Sequence, residues 1–291
     1  MKRTLITLGT AALTFANLTL SVSAADLMTL RLTADQTAVS TEELASGDKV
    51  IHGGLRIDNY TGIAALRLIL RSDAPVLIEN GDYTRVPGDQ SKLAFFESYS
   101  KAEYTPKSLI DDDTNIIYWR GMEEDGKEGF QNGVIRDANS TFLSFDYRLP
   151  KDTPIGDYTC FVSDEVKTKG GMPIEDLNVS NSAGPLTLDK DFALKPVTLA
   201  VYMRGDVNCD GSVSGDDAQI ALLYYVRSKV SKKTVSDSEL AELAKTEHVE
   251  AAKHAVDASG NGDLDISDPQ GILRYYVLTL AGKNADWGSI Y

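Results

Sequence analysis

Hydrophobic and polar positions follow three successive patterns along this 291-residue chain. Residues 1–25 open with Lys2 and Arg3, run through an apolar stretch over 5–20, and close on small residues at Ser21, Ser23, Ala24 and Ala25. That order predicts a secretory signal peptide; Thr7, Thr10, Thr14 and Asn17 interrupt the apolar part too often for a membrane anchor. From 26 to 203 the alternation has a period of two, as in Leu66, Leu68 and Leu70, or Leu143, Phe145, Tyr147 and Leu149. Such a period sets one face of a strand against a core. Strands are predicted over 28–33, 49–58, 63–71, 93–97, 116–119, 142–149, 158–162 and 196–202, with turn residues at 73–75 and 150–156 between them. This many short strands predicts an all-β sandwich.

From 204 to 291 the period lengthens to that of a helix, and the segment repeats itself at an offset of 51 residues. Asp206, Asn208, Asp210, Gly211 and Asp217 fall on Asp257, Ser259, Asn261, Gly262 and Asp268. The match continues through Gln219 and Gln270, Leu222 and Leu273, and Tyr224, Tyr225 and Val226 against Tyr275, Tyr276 and Val277. A loop-plus-helix unit has been duplicated.

Each loop places oxygen side chains at positions 1, 3, 5 and 12 with glycine at 6, a spacing that points successive ligands at one hard cation. Two calcium ions are predicted. The first loop offers the side chains of Asp206, Asn208, Asp210 and Asp217, the Ser212 carbonyl, and Ser214 through water. The second offers Asp257, Ser259, Asn261 and Asp268, the Asp263 carbonyl, and Asp265 near position 9. Asn-Gly and Asp-Gly clusters also form plain turns, but two in register, each leading into an amphipathic helix, favour metal. Ile220, Leu223 and Tyr224 are predicted to line the buried face of the first helix, and Ile272, Tyr275 and Tyr276 that of the second. Between them Ser236 and Glu239 read as a capping box opening a helix through Leu240, Leu243, Ala244, Ala251 and Ala255. The result is a three-helix module with little core, so metal should contribute much of its folding free energy.

Composition narrows the function. With 43 acids against 29 bases the net charge is −14, which repels polyanions and excludes nucleic acid as a partner. Cys160 and Cys209 fall in different modules, so no disulfide is expected between them. Enzyme signatures are lacking: there is no Gly-x-Ser-x-Gly, no His-Glu-x-x-His, and only His52 before residue 204. The acidic runs 111–113 and 123–125 read as solvated loops rather than the carboxylate pair of a glycoside hydrolase.

The duplicated loops, each closing on Asp and followed by Leu-Leu-Tyr-Tyr-Val or Leu-Arg-Tyr-Tyr-Val, resemble a dockerin over residues 204 to about 285, and the 51-residue offset is similar to that of dockerins from ruminal bacteria. The resemblance implies a calcium-loaded, EF-hand-like module that binds cohesins and attaches secreted proteins to cellulosomes. It also implies partner-reading positions at Gly215, Asp216, Leu222 and Leu223 in the first repeat and at Ile266, Ser267, Leu273 and Arg274 in the second. The two sets differ, which argues against symmetric docking, and helix periodicity alone leaves packing within the module open for the leucines.

Residues 26–203 are similar to a cohesin through Gly47-Asp48-Lys49-Val50, the run 62–70, and 143–149 followed by Pro154-Ile155-Gly156-Asp157-Tyr158. The segment 98–139 departs from compact cohesins. By analogy with that family the sandwich is expected to be a jelly roll of about nine strands. The resemblance implies a non-catalytic adaptor scaffoldin: a signal peptide (1–25), a cohesin-like sandwich receiving another protein's dockerin (26–203), and a dockerin docking onto a scaffoldin cohesin (204–291). The alternatives are a dockerin-tethered carbohydrate-binding module, using Tyr83, Tyr99, Tyr104, Tyr118 or Trp119 as sugar platforms, and a small tethered hydrolase.

Overall fold

A computed structural model describes residues 27–59, 63, 65–83, 93–100, 114–122, 140–167, 173–181 and 183–291. The expected signal peptide and both acidic runs lie outside these residues. The strands are β1 (Met28–Ala34), β2 (Ala38–Ser40), β3 (Lys49–Asp58), β4 (Ala65–Ser72), β5 (Leu77–Tyr83), β6 (Leu93–Ser100), β7 (Thr114–Met122), β8 (Ser140–Leu149) and β9 (Gly156–Ser163). Short ones follow: β10 (Glu165–Lys167), β11 (Pro173–Asp176), β12 (Asn178–Asn181), β13 (Gly184–Pro185) and β14 (Phe192–Lys195), before β15 (Val197–Tyr202). A four-residue helix, α1 (Thr41–Leu44), sits between β2 and β3 behind a Ser40–Glu43 capping box.

Two sheets build the sandwich. One runs β14-β1-β3-β8-β5; the other runs β13-β12-β4-β9-β15-β2, with β7 and then β6 joined to β4. Most pairs are antiparallel, but β1 with β14 and β15 with β2 are parallel. Both sheets feed one core: Leu30, Ile57, Leu143 and Tyr147 from the first meet Leu68, Cys160 and Leu199 from the second. Each fully buried side chain of Leu or Ile size contributes roughly 1.5–3 kcal/mol relative to exposure. The eight predicted strands are present, but fifteen are found among the described residues where about nine are expected: the seven-residue β5 is missed because Asn80, Gly81 and Asp82 read as a turn, and β2 and β10 to β14 have two to four residues, too few to show a period.

The C-terminal residues form α2 (Gly215–Tyr225), which runs into a π-helical turn (Val226–Val230), then α3 (Asp237–Ala244), α4 (Val249–Val256), α5 (Ser267–Leu280) and α6 (Trp287–Ile290). At the π turn Ser228 Oγ donates back to the Tyr224 carbonyl at 2.7 Å, a bond that competes with the regular helix ladder. Ser236 caps α3 as predicted. The single helix expected through Ala255 is two, however, because Lys245 enters the left-handed region at φ +54 and ends α3. Trp287 belongs to the small core with Val207, Ala218, Ala221, Leu240, Val256 and Ile272. It stacks on Tyr275 at 4.3 Å, and the Arg204 guanidinium lies 5.0 Å over it. Cys160 and Cys209 are both free thiols.

Candidate functional site

The two loops share one hydrogen-bonding scheme at the 51-residue offset. In the first, the amides of Asp210 and Gly211 donate to Asp206 at 3.1 and 2.9 Å. In the second, the amides of Asn261 and Gly262 donate to Asp257 at 3.2 and 2.8 Å. Asp217 takes the amides of Asn208 (3.1 Å) and Ser214 (2.8 Å); Asp268 takes those of Ser259 (2.9 Å) and Asp265 (2.8 Å). Gly211 and Gly262 hold φ of +89 and +84, with nothing within 4 Å of where a Cβ would stand. Position 4 is also left-handed in both loops, at Cys209 (φ +60) and Gly260 (φ +71). Nothing in the sequence marks this at Cys209, because cysteine is not a residue that favours the conformation.

Asp206, Asp217 and Asp268 are fully buried, and among the described residues none of them is in an ion pair. An uncompensated buried carboxylate is costly. Burial, opposed by the Gly211 amide and reinforced by the Asp217 carboxylate, pushes the Asp206 carboxyl up to about 6. The other oxygen groups stay near the surface: Asn208 and Ser259 are half-buried, while Asp210, Ser212, Asn261 and Asp263 are exposed. Among the described residues no three or more His, Cys, Asp or Glu side chains converge as a finished metal cage. The carboxylates are turned instead onto main-chain amides, and Asp217 also accepts from Val207 N and Ser214 Oγ at 2.8 Å. The donor set still suits calcium: all oxygen, with three carboxylates in the first loop and Asp257 and Asp268 in the second, on a backbone already turned around the glycine.

Nine of the ten large apolar side chains exposed among the described residues lie in this module, and eight lie on or beside the two repeat helices: Leu222, Leu223, Val226, Val230, Ile266, Leu273, Val277 and Leu280. Leu222 and Val226 fall on Leu273 and Val277 at the repeat offset, each pair separated by four residues and so on one helix face. Leu223, expected on the buried face of α2, is 40% exposed. Small residues, Ala218 and Ala221, make that face instead, with Ile220 and Tyr224 at its margin. Of the other positions expected to read a partner, Asp216 and Arg274 are exposed and Ser267 is half-buried. Gly215 abuts the Tyr276 ring, which a Cβ at this position would approach to 3.3 Å, and so faces α5. The side chains of Tyr83, Tyr99, Tyr104, Tyr118 and Trp119 fall outside the described residues.

No family model matches the chain, and no curated protein matches it. Among solved structures it is similar to the sixth cohesin of scaffoldin B from Acetivibrio cellulolyticus in complex with a Cel5 dockerin mutant, at 12% identity and a TM-score of 0.38, covering 60% of this chain and 99% of that one. It is also similar to the third ScaB cohesin of R. flavefaciens in complex with a group 1 dockerin, at 10% identity and a TM-score of 0.36, covering 59% and 94%. A type II cohesin–X–dockerin complex of Acetivibrio cellulolyticus aligns at 9% identity and a TM-score of 0.41, covering 60% and 99%. Among the described residues no helix is long and apolar enough to cross a membrane.

Proposed function

We propose that the protein is a secreted, non-catalytic adaptor of a cellulosome. In this reading the cohesin-like sandwich receives another protein's dockerin, and the C-terminal module is a dockerin that plugs into a scaffoldin cohesin. The observation that carries it is the exposed stripe on α2 and α5. Contiguous exposed apolar surface of this kind marks an interaction site, and its duplication follows the duplication of the loops.

Charge narrows the partner. The stretches 218–236 and 269–285 contain no acid in a chain of net charge −14, and they carry Arg227, Lys229, Lys232, Lys233, Arg274 and Lys283. An apolar stripe with a basic rim fits a cohesin face with an apolar centre and an acidic rim. Asp206, Asn208, Asp210, Ser212 and Asp217 would hold one calcium ion, and Asp257, Ser259, Asn261, Asp263 and Asp268 the other. Bound calcium supplies the positive charge that the buried carboxylates lack. The chain's own part is to fix α2 and α5 relative to each other, so that Leu222, Val226, Leu273 and Val277 present one surface.

The test is calorimetric titration of the chain with cohesins and dockerins from the producing organism, in calcium and in chelator. Binding to a cohesin that is lost in chelator and in the Asp206→Ala, Asp257→Ala double variant is the expected result. Undiminished cohesin binding by the double variant refutes the calcium assignment.

A further inference from the structure

Helix α4 begins without a capping side chain of its own. His248 stands at its N-cap, and that side chain makes no capping bond within the helix. The open amides of the first turn are taken by the other module: Glu250 N and Ala251 N donate to the two carboxylate oxygens of Asp157, on β9, at 2.8 Å each. Asp157 in return donates its own amide to His248 Nδ1 at 3.3 Å. This is the reciprocity of a capping box, shared between residues more than ninety positions apart in the chain. Gly156 beside it makes room, since a Cβ there would stand 3.3 Å from His248 Cε1. Farther along α4, His254 lies against Tyr202 of β15, with ring centroids 5.5 Å apart. Ala251, Ala252 and Ala255 are fully buried.

Both loops hang from this helix. Asp257, the first ligand position of the second loop, is the C-cap residue of α4. On the other side Gly205 N donates to the Ala255 carbonyl at 2.9 Å, immediately before Asp206, and Arg204 Nε donates to the Ala258 carbonyl at 2.5 Å. We infer that Asp157 is a positioning residue for the calcium module: by capping α4 it orders the helix that ends on the second loop and that takes the amide of the residue before the first, and so couples their calcium affinity to the sandwich. The coupling to calcium rests on the reading of the loops proposed above; the cap does not. Losing an N-cap of this type weakens a helix by an amount equivalent to about two- to thirtyfold in an equilibrium constant.

The experiment compares the full chain with Asp157→Ala, His248→Ala and, as a control on an exposed turn, Asp152→Ala. Calcium titration and amide hydrogen exchange are measured on each, and the sandwich's folding is checked by thermal unfolding. Expected is calcium binding weakened on the order of two- to thirtyfold in Asp157→Ala, a change in the same direction in His248→Ala, none in Asp152→Ala, and faster exchange along α4 in the first two. Wild-type affinity with unchanged exchange in a folded Asp157→Ala overturns the inference. Should the wild-type chain bind no calcium, the reading of the loops fails, and exchange along α4 alone decides: protection unchanged by Asp157→Ala overturns the cap as well.

Discussion

Ile272 and Leu273 are neighbours in α5 with opposite surroundings: the first is 0% exposed, the second 49%. Replacing a buried Ile by Ala costs about 2–5 kcal/mol. Four of the module's nine buried core residues are alanines, beside Val207, Leu240, Val256, Ile272 and Trp287, and an alanine has no side-chain freedom with which to fill the space. A domain of this size has a total stability of roughly 4–13 kcal/mol, and one calcium site held at about a thousand times its dissociation constant adds about 4 kcal/mol. Ile272→Ala is therefore expected to leave the module folded in calcium and marginal in chelator. Leu273→Ala is expected to change stability by less than about 0.5 kcal/mol, and to weaken cohesin binding by about tenfold if it sits in the centre of that interface. Urea unfolding followed through Trp287 fluorescence in a Trp119→Phe background reads the first effect, since Trp287 belongs to the same core, and calorimetry reads the second. A urea midpoint lowered as much by Leu273→Ala as by Ile272→Ala refutes the placement of the stripe.

Two further outcomes follow from single residues. Gly211→Ala meets no neighbouring atom, so its cost is the left-handed backbone alone, about 1–2 kcal/mol, partly offset by a stiffer unfolded chain; calcium titration should show severalfold weaker binding, and an unchanged isotherm contradicts the loop geometry. Asp58 accepts from Arg31 Nε and Arg56 Nε at 2.8 Å each; partial burial raises its carboxyl, but the two guanidiniums prevail and hold it below the usual range. A lowered folded-state value contributes stability that is present above the unfolded carboxyl's range near pH ~4 and is lost as pH falls through the folded value. Asp58→Asn should therefore destabilise the sandwich at neutral pH, with the gap to wild type closing below about pH 4; a gap constant with pH in thermal unfolding counts against the ion pairs.

The parts legible in the sequence were those with a period or a repeat. The alternation from Leu143 to Leu149 fixes which side chains face the core, and Leu143, Phe145, Tyr147 and Leu149 are all buried. The duplicated loops announced their glycines, but not that their carboxylates turn onto main-chain amides. What escaped depends on contacts between distant residues. Nothing around Leu223 says that alanines suffice for the buried face of α2, because periodicity gives a direction and not a distance. The break at Lys245 follows no proline or glycine, and the helix after it is capped by a residue on β9. No local pattern marks Trp287 as a core residue, because its partners, Arg204 and Tyr275, come from separate elements.

The faces of the C-terminal module divide its work. Helix α4 turns its first turn toward the sandwich and Ala252 into the module's own core, while α2 and α5 leave apolar residues exposed to solvent. The contact that joins the modules thus leaves the stripe open. Arg204, at the junction, donates to the backbone beside the second loop and lies against Trp287 and Tyr291. A chain built this way holds its stripe in one orientation relative to the sandwich, where a flexible linker would let it vary. In the adaptor reading, a dockerin on the sandwich and a cohesin on the stripe would then meet at a set geometry. Calcium loss would loosen that geometry and the docking together, since the helix that joins the modules also ends on the second loop and takes the amide of the residue before the first.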